Sequence, residues 1–148
     1  VQLNARAEKL LKSILSACGI NGATLNSTLR TYHDQARITI EQTLPRDPGV
    51  VAYWYGNDVL DAARRMSVEE MAVWWKAYDE RNNSYSSNHL RNIAMDVVPA
   101  HSRGVFAAKT AELANTTGTN VKRILAAGTH GETVDHVEFM FEVTNFSS

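Results

Sequence analysis

Apolar residues at Ala7, Leu10, Leu11, Ile14, Leu15 and Cys18 recur at helical spacing, which predicts a helix over 4–19 that stops at Gly19. Asn21-Gly22 marks a turn. Residues 23–31 are rich in β-branched side chains and alternate in part, so they predict a strand with Arg30 at its end. A second helix is expected over 33–44, with Ala36, Ile40 and Leu44 on one side and Pro45 ending it. Residues 46–49 read as a loop. The apolar stretch 50–55 reads as a strand or a buried connection, and 58–66 as a helix.

Ser67-Val68-Glu69-Glu70 has the serine and third-position acid of a capping box, and opens a helix to about Asp79. Its large side chains, Met71, Trp74, Trp75 and Tyr78, suit a core; the alternative is that one Trp lines a substrate groove. The stretch 81–88 is a polar loop. Ile93 to Val98 is a β-type run ended by Pro99. A helix over 102–117 has Val105, Phe106, Lys109, Leu113 and Thr116 as its spine, with Gly118 closing it. Strands over 121–127 and 134–144 follow, joined by a turn at 128–133. Helices interspersed with strands that gather towards the end predict an α+β fold: a small antiparallel sheet covered by helices.

Composition narrows the picture modestly. At 148 residues, with 44% hydrophobic and 21% charged residues, the chain fits one soluble domain with a sizeable core. A net charge of -1 gives no reason to expect nucleic acid or an anionic membrane as partner. The single cysteine, Cys18, excludes an intramolecular disulfide and a multi-cysteine zinc site, and its apolar setting predicts a buried thiol. No apolar run reaches a membrane-spanning length, and no signal peptide is visible. The chain begins at Val1, as a processed form or a domain cut from something longer would.

Candidate chemistry sits in two stretches. His89 and Asp96 are an odd number of positions apart and would face opposite sides of one straight strand, so His89 is expected in the preceding loop and Asp96 in the strand. Asp96 shares a strand face with Ala94 and Val98, and a carboxylate in such surroundings is paired or bound to a metal. In the last strand Val137, Phe139, Phe141 and Val143 form the core face, while Val134, His136, Glu138, Met140 and Glu142 form the other. Imidazole and carboxylate ligands suit zinc, with three protein ligands and water in the catalytic form. Two histidines and two acids at these spacings are, on that basis alone, ordinarily surface or hydrogen-bonded groups.

Ser87-x-His89-x-x-Asn92-x-Ala94-x-Asp96 resembles the Ser-x-His-x-x-Gly-x-Ala-x-Asp signature of the zinc D-Ala-D-Ala carboxypeptidases. That family groups with the phage L-alanyl-D-glutamate endopeptidases and, more distantly, the Hedgehog signalling domain. The departure is Asn92 in place of Gly, a mild one because Asn tolerates left-handed backbone. Upstream, residues 25–37 are similar to the family's strand ending in Arg and its following helix carrying Gln. The resemblance implies a zinc ion (Zn2+) held by His89, Asp96 and a third ligand, and substrate contacts from Arg30, Gln35 and Ser87. It also implies that Arg30 holds a substrate carboxylate or polarises the scissile carbonyl.

The C-terminal motif admits two placements. One makes Asp135 the catalytic acid–base, His136 an accessory histidine and Glu138 the third ligand, where the family has His. The other makes His136 the ligand and draws the base from Glu132 or His130. The first keeps the strand register and is slightly preferred. The implied function is a single metallopeptidase-like domain over 1–148 that cleaves a peptide bond in bacterial peptidoglycan. Its partner is then the wall's stem peptide, and it is expected to be a monomer. Small size and the lack of a visible signal peptide suit a phage lytic enzyme, held in the host cytoplasm until release or carried on the particle. The alternative is a non-catalytic metal-binding or structural domain on the same fold, such as a component of a phage particle, an option kept open by the irregular third ligand.

Overall fold

The computed structural model describes residues 3–145. It is α+β, as the hydrophobic pattern predicts, with a four-stranded antiparallel sheet. The chain divides into two compact units, one of residues 1–29 with 91–148 and one of residues 30–90.

The first unit carries the sheet. Helix α1 (Ala5–Ala17) begins where Asn4 accepts a hydrogen bond from Ala7 N at 2.8 Å, and Gly19, at φ 70°, turns the chain away after it. Strand β1 (Ala23–Ser27) pairs with β2 (Ala94–Pro99), β2 with β4 (Asp135–Phe139), and β4 with β3 (Val121–Leu125), all antiparallel. Helix α7 (Arg103–Ala114) lies between β2 and β3 in sequence. Met95, Val97, Val137 and Phe139 pack with Ala7, Leu11, Ile14, Leu15 and Phe106 in one apolar core. Alternation along β2 and β4 therefore sends Asp96, His136 and Glu138 to the opposite face, and these three are buried too.

Several boundaries differ from expectation. Strand β4 ends at Phe139, because Phe139 N donates to Ile93 O and Met140 N turns to Asn120 O. Val143 still reaches the core, by way of a turn and a hydrogen bond from its N to Asn92 O. The face bearing His136 and Glu138 is not open to solvent; every residue of β4 is buried. In α7 the buried positions are Phe106 and Thr110, while Val105 is 53% exposed. Cys18 is half-buried rather than buried, and desolvation raises its thiol pKa.

The second unit is helical: α2 (Tyr32–Ile38), a π-helical turn (Thr39–Thr43), α3 (Leu44–Arg46), α4 (Pro48–Tyr55), α5 (Asn57–Arg65) and α6 (Val68–Arg81). Strand β1 stops short of Arg30 because Thr31 is committed to the next helix: Thr31 and Asp34 form a reciprocal capping box at the start of α2. Arg30 is thus a linker residue, not a strand end. Pro45 does not end the helical path, since it sits in the first turn of α3 where a missing N–H is tolerated. The expected loop at 46–49 is largely a helix start. Asp47 Oδ1 accepts from Gly49 N at 2.9 Å, Pro48 takes the first helical position, and residues 50–55 are helix rather than strand.

The capping box at Ser67 forms as expected, with Glu70 N donating to Ser67 Oγ and Ser67 N to Glu70 Oε1. Trp75 is fully buried beside Val51, Val59 and Met71, which makes it a core residue. Trp74 is half-buried and stacks on Tyr78, with centroids 4.9 Å apart. No helix among the described residues is long and apolar enough to cross a membrane.

Candidate metal centre

The two middle strands, β2 and β4, place the ionisable groups by register. His136 stands opposite Asp96 on one side and Leu125 on the other; Glu138 stands opposite Ala94 and Arg123. His136 Nδ1 lies 3.2 Å from Asp96 Oδ1, and His136 Nε2 lies 2.8 Å from Glu138 Oε2. Arg123 Nη2 donates to the same Glu138 oxygen at 2.8 Å.

His89 arrives from the turn before β2, in the loop position that its spacing from Asp96 requires. Ser87 Oγ accepts from His89 N at 3.2 Å and braces that turn. Asn92, where the similar signature has Gly, takes φ 63°. Its side chain is fastened by Nδ2 donating to Thr144 O at 3.2 Å and by Oδ1 accepting from Thr144 Oγ1 at 2.9 Å. The left-handed backbone bends the chain between the histidine and the strand, and Asn supplies it at less cost than most residues.

The ligand atoms of His89, Asp96 and His136 all lie within 4.8 Å of one another, and all three residues are buried. This group could hold a metal ion. Two imidazoles and a carboxylate are a donor set that suits zinc among other divalent ions. Burial by itself would lower the His136 pKa, but hydrogen bonds to Asp96 and Glu138, with the charges of Asp96 and Glu132, reverse this and raise it to about 9. Cationic charge is favoured at this point of the sheet.

The remaining candidates have other settings. Asp135 is buried, shares its strand face with Val137 and Phe139, and uses Oδ1 to accept from Ala127 N at 2.8 Å, holding the β3–β4 turn. Its Oδ2 is buried without a hydrogen-bond partner. His130 is exposed at φ 51°, with Nδ1 3.1 Å from Thr129 Oγ1. Glu132 is half-buried and close enough for its charge to act on His136.

In the helical unit Arg30 Nη1 donates to Gln35 Oε1 at 3.2 Å, and Gln35 Nε2 to Tyr55 Oη at 2.8 Å. Arg30 N also donates to His89 O at 3.2 Å. Gln35 is completely buried, so its contacts are with these side chains.

Arg123 is the participant that sequence reasoning missed. Its partnership with Glu138 depends on the β3–β4 register, which shifts between Val121 and Arg123, and no local motif announces that pairing. No protein-family model, curated protein or solved structure matches the chain.

Proposed function

We propose that the chain is a zinc-dependent peptidase that hydrolyses a peptide bond in bacterial peptidoglycan, of the D-Ala-D-Ala carboxypeptidase or L-alanyl-D-glutamate endopeptidase type. The observation that carries this reading is the buried grouping of His89, Asp96 and His136, whose first two members stand in the signature spacing of those enzymes. His89, Asp96 and His136 would hold the ion. Bound zinc supplies a Lewis acid that polarises a carbonyl and brings the acidity of water to a pKa of about 7.

The chain's own groups supply the rest. With His136 as a ligand the motif draws the base from Glu132 or His130, and we assign Glu132, whose charge acts on His136, the proton of the attacking water and its transfer to the leaving amine. Asp135, the acid favoured by one motif placement, has the weaker claim because its carboxylate holds the Ala127 backbone. Arg30, oriented by Gln35, would bind the carboxylate of the stem peptide. Ser87 would serve indirectly by bracing the His89 turn. Such an enzyme fits a phage lytic role, released to the wall or carried on a particle.

A second reading is a non-catalytic metal-binding or structural domain. It is favoured by the low exposure of the ligands, 3% for His89, 7% for Asp96 and 8% for His136, because structural sites are closed whereas catalytic ones keep an open position.

The separating experiment is metal analysis of the purified protein, followed by peptidoglycan digestion with wild type, His89→Ala and Glu132→Gln. A peptidase should carry stoichiometric zinc and release stem-peptide fragments, and both variants should lose that release. Absence of stoichiometric metal sinks the peptidase reading. Metal without digestion across several wall types supports the structural domain.

A further inference from the structure

We infer that Glu138 is a positioning residue for the metal centre and not one of its ligands, and that Arg123 holds it in that role. The inference rests on the proposed metal reading, and deepens it by dividing the polar chain Arg123–Glu138–His136–Asp96 into inner and outer parts.

The two nitrogens of an imidazole point in divergent directions. In His136, Nδ1 faces Asp96 Oδ1 at 3.2 Å, while Nε2 faces Glu138 Oε2 at 2.8 Å. An ion held with Asp96 is therefore reached through Nδ1. The oxygen bonded at Nε2 lies on the other side of the ring. A carboxylate there fixes the proton on Nε2, leaves the Nδ1 lone pair for the ion and raises the basicity of the ligand.

Glu138 is 1% exposed, a position in which a carboxylate needs compensation to remain ionised. Arg123 provides it. Its guanidinium reaches Glu138 Oε2 at 2.8 Å while the Arg123 side chain stays 53% exposed, so the cation keeps much of its hydration as it neutralises the buried acid. The pairing is built into the sheet, because Arg123 and Glu138 are register partners on β3 and β4. One oxygen thus joins a surface cation to a buried ligand ring.

The test compares wild type with Glu138→Ala, Glu138→Gln and Arg123→Ala, using zinc affinity by chelator competition and the visible spectrum of the cobalt(II) form. Glu138→Ala should still bind one ion with an unchanged cobalt spectrum, about 10- to 100-fold more weakly. Glu138→Gln, whose carbonyl can accept from Nε2–H, should recover most of that loss and serves if the alanine variant does not fold. Arg123→Ala should weaken binding only several-fold. A cobalt spectrum altered in either Glu138 variant, or a lost equivalent of metal, would make Glu138 a ligand and overturn the inference. Unchanged affinity in both Glu138 variants would leave it no positioning role. Wild type that binds neither ion defeats the metal reading itself, a result distinct from the other two.

Discussion

In the helical unit, buried polar side chains are tied off by hydroxyls, a backbone N–H and, at Gln35, the Arg30 guanidinium. Gln35 lies between Arg30 and Tyr55, and Asp79 accepts from Tyr32 Oη at 2.8 Å, Ser86 N at 3.1 Å and Ser86 Oγ at 2.5 Å. Both Asp79 oxygens are satisfied, and around them Val51, Val59, Met71 and Trp75 make an apolar core. The sheet unit has an equally apolar core on one face of β2 and β4, but its other face buries two carboxylates on either side of one imidazole. Hydroxyls and amides can satisfy an isolated acid. Two acids converging on one ring call for positive charge; Arg123 supplies part of it at Glu138, and a proton on His136 or a metal ion supplies the rest. A buried charge is therefore a structural fastener in one unit and, in the other, the best candidate for a functional site.

The largest expected effect sharpens the contrast from the sheet side. A ligand that binds only the folded state adds stability by mass action, about 4 kcal/mol at a thousand times its dissociation constant. Zinc should therefore raise the melting temperature of the wild type, and Asp96→Ala should abolish the rise. Equal melting temperatures with zinc and with chelator would show that the proton on His136 already does all that is needed. The two units would then differ only in which cationic or neutral group closes the network.

The next effect tests the helical side. Asp79→Ala strips the acceptor from Tyr32, Ser86 N and Ser86 Oγ at a site that is 4% exposed. Losing charge-assisted bonds and stranding their donors should cost on the order of 3 kcal/mol in urea unfolding. The loss should be the same with and without zinc. A cost below about 0.5 kcal/mol, the range of ordinary surface substitutions, would mean that Asp79 is not the fastener its geometry suggests.

These contrasts also mark what could be read from the chain. His89 in a loop and Asp96 in a strand followed from odd spacing across a β-type run, and Asn92 could be recognised as a place for left-handed backbone. The box at Ser67 was visible because its acid falls three residues after the serine. The box at Thr31 has the same form, but it adjoins a β-branched run whose strand signal masks it and extends the expected strand past Arg30. Asp47-Pro48 is likewise a helix opening that reads as a turn when Pro and Gly are taken as breakers. Arg123 is a different case. A cross-strand ion pair is fixed by register, and the shift in β3 that brings Arg123 opposite Glu138 has no local signature.

The smallest effect at neutral pH concerns Tyr32. Burial, then the hydrogen bond to Asp79 and its charge, raise the Tyr32 pKa above its ordinary value of 10.0. The sign follows from linkage. Above about pH 10 the unfolded chain gives up the phenolic proton while the folded chain retains it, so the unfolded state gains and stability falls as pH rises towards the folded pKa. Below pH 10 both states hold the proton and this contribution is constant. Tyr32→Phe should therefore be less stable than wild type at pH 8, having left Asp79 one donor short, yet decline less steeply between pH 9.5 and 11. Parallel stability–pH curves for the two proteins would show that Tyr32 does not retain its proton through Asp79. The fastener in the helical unit would then be Ser86 alone.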